Sequence, residues 1–305
     1  MKTKIVLYVC LALLARVPLP VVSASAVTER EATQSPLSRR YQDGERLAYR
    51  MVATNRDRIG TTTYSAKASA VVKRDDTGRF FEEFQWSELV WNGTSFELPA
   101  TNEPLRQFLS LSPERRPSLP DFSRVHPRLI GPMSDLLSFY ADVWLAMRQP
   151  ELRVTGDRVV VKHGDANSWA DGTSVILGQD AIDFVIAIDH IDNSVGTVTV
   201  TVRHVPPEQP RIKIPAVWMR DPVADVPNNW VQVTQAGARR YIASIGKETF
   251  DVEIRLNLTA GKILSARMNN PVDVFERECS DEALSACTEG TRYQILRHIE
   301  ISDIS

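Results

Sequence analysis

The chain has 305 residues, 36 Lys and Arg against 38 Asp and Glu, a formal net charge of −2 and 43% hydrophobic residues. Basic and acidic residues are interspersed, so no clustered cationic face exists for phosphate, which excludes nucleic acid as a partner. The apolar content suits one large β-rich domain or two moderate ones.

The N-terminus reads as an export signal. Lys2 and Lys4 form a basic start, Ile5 to Ala15 an apolar run, and Ala24-Ser25-Ala26 a small-x-small site, which predicts cleavage of residues 1–26. Arg16, Pro18 and Pro20 interrupt the run before the roughly 20 apolar residues that a membrane helix needs. The expected location is therefore periplasmic or extracellular, with no transmembrane segment in the mature chain. Polar residues dominate 27–40, which predicts a flexible lead-in, and a single β-rich domain is expected over 41–305, with β halves at 41–133 and 134–305 as the alternative division.

From Tyr41 to about Leu98 the pattern is that of strands. Leu47, Tyr49, Met51 and Ala53 alternate along one of them, Asp76-Thr77-Gly78 marks a turn into the aromatic run Phe80 to Trp91, and Asn92-Gly93 marks the next turn. Pro99 to Pro132 carries seven prolines, which on this reading exclude a ladder strand and any long helix, and enough apolar residues to pack on a sheet. Leu136, Tyr140, Val143, Trp144 and Met147 then recur at helical spacing and predict one amphipathic helix beginning after Gly131-Pro132. The rest reads as a β-meander with a second proline-rich excursion over Pro206 to Pro227. Thr249 to Leu258 alternates most cleanly. The expected fold is mainly β: a curved, half-barrel-like antiparallel meander, one helix packed on it and two proline-rich excursions.

The opening Tyr41-Gln42-Asp43-Gly44-Glu45-Arg46-Leu47-Ala48-Tyr49, followed by Gly60-Thr61-Thr62 and a strand of small residues, resembles uncharacterised secreted bacterial β-sheet families. These are similar in architecture to the lipoprotein-localisation carriers. The resemblance implies a curved sheet around a helix-lidded apolar cavity and supplies no catalytic residues.

Cys279 and Cys287 are the only cysteines outside the leader and, in an exported chain, are expected to pair. Ala66, Ala68 and Ala70 leave one strand face small, so either the helix aromatics Tyr140 and Trp144 fill it or it opens as a groove for a lipid or other apolar small molecule. Trp169, in a polar loop over 164–172, is a further candidate contact. Arg297 stands on an apolar strand face and needs a buried carboxylate, for which Glu82 and Glu88 are candidates. His163, His190 and His204 each end a strand on its apolar parity, with His204 at the edge opposite the other two. His163 and His190, with Asp165, Asp189 and Asp192 nearby, could form a metal or acid–base rim for an envelope hydrolase or metal-dependent enzyme. The leading expectation is a non-enzymatic exported β domain, with no cofactor and no metal, that binds an apolar ligand or an envelope protein.

Overall fold

Period-two alternation over the first described residues builds three successive antiparallel strands, β1 (Arg46–Arg56), β2 (Thr61–Arg74) and β3 (Phe80–Trp91). The computed structural model describes residues 35–98, 106–113, 117, 125–162, 167–170, 174–178, 183–205 and 230–305; for 167–170, 174–178 and 230–232 it describes the backbone alone. Asp75 closes the β2–β3 turn by accepting hydrogen bonds from the backbone amides of Thr77 and Arg79. Asn92 and Gly93, both at positive φ, turn β3 into the short β4 (Thr94–Phe96). Beyond it, β5 (Arg106–Leu109) pairs with β3 at Glu82–Gln85. This corrects the reading of Pro99 to Pro132 as strand-free: the residues between Pro104 and Pro113 have every backbone N–H available for a ladder.

Helix α1 spans Ile130–Met147. The remaining strands are β6 (Arg158–Lys162), β7 (Asn167–Ala170), β8 (Ser174–Gly178), β9 (Asp183–Asp192), β10 (Thr197–Val205), β11 (Trp230–Gly237), β12 (Arg240–Glu248), β13 (Phe250–Asn257), β14 (Ile263–Cys279) and β15 (Thr291–Asp303). All pair antiparallel in one sheet, which does not close into a barrel.

The sheet forks at β14. Its first half, Ile263 to Asn269, pairs with β13, which leads on to β10, β9 and β6. Its second half, Val272 to Cys279, pairs with β12, which leads on to β11, β8 and β7. Pro271 sits at the changeover, where β13 has ended and β12 has not begun, so its missing N–H costs no ladder bond on that side. On its other edge β14 pairs with β15 through both halves, and β15 pairs with β1.

The first branch, together with β1–β3, encloses α1. The helix is buried around its circumference, with Met133, Leu136, Phe139 and Tyr140 no more than 1% exposed. Its sequence therefore understates its environment: the stripe Leu136, Tyr140, Val143, Trp144 and Met147 is buried, and so are Leu137, Phe139, Ala141 and Ala146 on the other faces. Burying a large apolar side chain contributes about 1.5–3 kcal/mol, so α1 is a principal source of stability. A second apolar cluster lies on the other branch around Val233, Tyr241, Ala243, Ile245, Val272, Val274, Leu284 and Ile295.

Part of the segment read as a flexible lead-in belongs to the core. Leu37 is fully buried, and Arg39 donates from Nη1 to the Ala260 carbonyl in the β13–β14 turn. Gly261 makes room for this contact, since a Cβ there would stand 2.2 Å from the Ser38 carbonyl oxygen. The chain from Ser35 onward is held because Leu37 and Arg39 have seats waiting across the sheet.

Candidate functional site

Three polar anchors fix α1 inside the sheet. Near its N-terminal end Asp135 accepts hydrogen bonds from Tyr64 Oη of β2 (2.6 Å) and Arg297 Nη2 of β15 (2.7 Å). Tyr140 donates to Glu82 of β3, and Glu82 in turn accepts from Arg39 Nε at 3.2 Å. Asp142, two residues on, lies 3.2 Å from His204 Nε2 of β10. The His204 ring is held between Phe184 and Phe250, each 4.5 Å away between ring centroids.

Arg297 thus finds its carboxylate on the helix. Glu82 and Glu88, its candidate partners from strand parity, are taken by Arg39 and Lys67 respectively. Arg297 also donates to Asn55 Oδ1 across the β1–β15 pair (3.0 Å). Asn270, its neighbour on β14, donates to Glu248 Oε1 (3.1 Å). A polar row therefore crosses β1, β15, β14 and β12, half-buried at Asn55 and buried at Arg297, Asn270 and Glu248, with Asp135 set over it from the helix.

The electrostatics follow from burial. Desolvation pushes the Glu82 carboxyl above the usual carboxylate range, against the pull of Arg39 and Tyr140. Burial opposes the charge on Arg39, but the Glu82 and Glu45 carboxylates outweigh it and hold the guanidinium above its ordinary value. Tyr140 and Tyr64 are raised well above the ordinary phenol range, by burial first and by Glu82 and Asp135 second. Each group is paired and closed off from solvent, whereas an acid or base in catalysis must come within hydrogen-bond reach of a substrate. The chemistry of the anchors is that of holding a helix in place.

The sequence carried one sign of these anchors that strand parity does not reveal: two carboxylates, Asp135 and Asp142, seven apart in a helix with no other charged residue. That spacing places both on one face, where each needs a sheet partner.

Of the expected histidine rim only His190, Asp189 and Asp192 are described, and His190 does not follow the apolar parity of its strand. His163 and Asp165 lie outside the described residues. His190 is exposed because the β9–β10 pairing shifts by one residue: Thr199 opposes His190, and Val200 opposes Ile188. The bulge leaves Asp189 as the extra residue and turns His190 away from the apolar face. Asp189 accepts a hydrogen bond from Thr201 Oγ1 (3.1 Å). Asp192 organises its own turn, and bonds from Ser194 and Val195 hold its carboxyl below the ordinary value. His204, expected at the opposite edge, is instead buried against Asp142. Among the described residues no group of three or more His, Cys, Asp and Glu is placed to hold a metal ion.

The small-residue face is filled from its own sheet. Ala66, Ala68 and Ala70 are each no more than 2% exposed. Ala68 stands between Tyr49 and Trp86, Ala66 between Met51 and Leu89, and Ala70 between Leu47 and Phe84. Large neighbours on β1 and β3 thus flank every alanine, and Phe84 meets Tyr140 edge-on at 5.9 Å. Trp144 donates its indole N–H to the Ser112 carbonyl (3.1 Å), and Arg148 stacks on its ring. Trp169 lies in β7, where only the backbone is described.

On the outer face, β6, β9, β10, β13 and β14 form an open groove of about 490 Å³ that includes Asp189. Four of its charges are matched across strands, Arg203 with Asp251 and Arg267 with Glu253, both at 2.8 Å. No protein-family model, no curated protein and no solved structure matches the chain.

Proposed function

We propose that the chain is an exported, non-enzymatic β domain that works by binding an envelope partner through its outer surface. The single observation that carries this reading is the burial of α1 on every side. In the carrier-like architecture that the opening motif resembles, the curve of the sheet holds an apolar ligand. Here the same curve holds a helix, locked by Asp135, Tyr140 and Asp142, so an apolar ligand would have to displace an anchored, close-packed element. Export is supported by the basic and apolar leader with its small-x-small site, and by Cys279 and Cys287, whose Sγ atoms lie 2.00 Å apart.

The test sets the two ligand classes against each other. Purified mature chain is titrated with a fluorescent fatty acid, and photo-crosslinkers on the outer faces of β13 and β14 are activated in intact envelopes. Crosslinking to one envelope protein without saturable fatty-acid binding is expected. One fatty acid bound per chain in the micromolar range, with helix amides losing hydrogen-exchange protection, would overturn the partner reading.

A further inference from the structure

The outer face of the second branch holds two arginines that form no ion pair among the described residues. Phe275 of β14 lies directly across from Arg292 of β15, and Arg277 follows two residues later on the same face. Both guanidinium groups stack on the one ring, with their carbons 4.7 Å (Arg277) and 5.0 Å (Arg292) from its centroid. Neither meets a carboxylate at ion-pair distance, and Arg277 Nε is buried and donates to no acceptor among the described residues. Two neighbouring arginines, by contrast, are paired: Arg240 of β12 forks onto both oxygens of Glu278, and Arg58, from the β1–β2 turn, meets Glu276 at 2.7 Å.

An aromatic face attracts a cation without neutralising it, so two guanidiniums on one ring retain their mutual repulsion. The ring and the stem of Arg277 are nonetheless held in place. Gly290 packs flat on them, where a Cβ would stand 2.6 Å from Phe275 Cζ and 2.9 Å from Arg277 Cγ. A fixed aromatic surface with two planar forks that pair with no described carboxylate is organised in advance for carboxylates, which guanidinium binds in a bidentate manner.

We infer that Phe275, Arg277 and Arg292 form the docking site for an acidic segment of a partner protein, two carboxylates flanking an apolar residue. The ring favours this over a free phosphate, because an inorganic anion makes no use of an apolar surface. The inference rests on the partner-binding reading above and supplies its chemistry.

The probe is a fluorescein-labelled Glu-Leu-Glu-Leu-Glu peptide titrated against the disulfide-bonded mature chain. Saturable, salt-sensitive binding is expected, weakened about tenfold or more by Arg277→Gln with Arg292→Gln. Arg277→Lys with Arg292→Lys, which keeps the charge and loses the fork, should fall between. Arg203→Gln, which unpairs a charge on the other branch, should leave affinity unchanged, and every variant should melt as the wild type does. No binding by wild type, equal loss in Arg203→Gln, an unaffected double variant, or displacement of the peptide by equimolar inorganic phosphate would each overturn the site. An envelope crosslink that survives Arg277→Gln with Arg292→Gln would overturn the site and leave the partner reading standing. Peptide binding without any envelope crosslink would sink the partner reading and leave the carboxylate chemistry in place.

Discussion

The two branches that leave β14 are held by different means. The first, β13-β10-β9-β6, curves with β1–β3 around α1 and is tied to it by the buried contact of His204 with Asp142, while Asp135 ties the helix to β2 and β15. The second, β12-β11-β8-β7, carries its own smaller apolar cluster, and the Cys279–Cys287 link pins the loop that ends β14. The contrast shows how one long strand can serve two cores: Asn270, Pro271 and the polar row between them mark where one packing environment gives way to the other.

The largest effect is expected at Asp135. Asp135→Ala leaves Arg297 buried without its carboxylate and removes the acceptor of Tyr64, a loss of about 3–5 kcal/mol. Denaturant melts should show it, and since α1 joins β2 and β15 through this residue, the whole first branch should melt together. A loss under 1 kcal/mol would mean that the helix is not anchored there.

Replacing Cys279 and Cys287 together by Ser should cost about 2.5 kcal/mol, the chain-entropy value for so short a loop. Hydrogen exchange should show that cost confined to β11, β12 and the second half of β14, with α1 amides still protected. Equal loss of protection in α1 would show that the branches unfold as one.

The smallest effect is a pH dependence at Glu82. Its carboxyl is raised by burial, so the folded chain holds a proton that the unfolded chain releases at lower pH. That contribution is fully present below the ordinary carboxylate pKa and is lost as pH rises through the raised value. Glu82→Gln lacks this loss, so the stability gap between wild type and variant should shift in favour of the variant as pH rises across that window. A shift in the opposite sense would mean that Arg39 and Tyr140 outweigh desolvation.

Most of the sheet was legible because each strand states its own faces. Phe250 to Leu258 alternates without a break, Tyr293 to Ile301 does so apart from Leu296 and Arg297, and the Asn92-Gly93 turn is local chemistry. What lay beyond reach depends on neighbours. Nothing in Ile263 to Cys279 says that its partner changes at Pro271, and nothing in Asp183 to Asp192 marks the bulge that turns His190 outward. Burial of Arg297 could be read from its flanking isoleucines, but its partner lies on α1, which strand parity does not address. Leu37 and Arg39 looked like part of a polar tail because what holds them is far along the chain: Leu37 joins the main apolar core, and Arg39 meets Glu82 and the Ala260 carbonyl.

The pairing of β1 with β15 brings the first strand of the sheet against the last, with Met51 opposite Ile301. A chain is delivered N-terminal end first, so β1 waits with one edge unpaired until almost every other residue has arrived. Loop closure over that span is slow, and an open strand edge is a template for pairing with other chains during the delay. Arg50, Arg56 and the polar outer residues of β1 make such pairing less favourable. The yield of folded chain should therefore depend on how long β1 is kept from its neighbours, and a truncation that removes β15 should aggregate instead of folding to a smaller sheet.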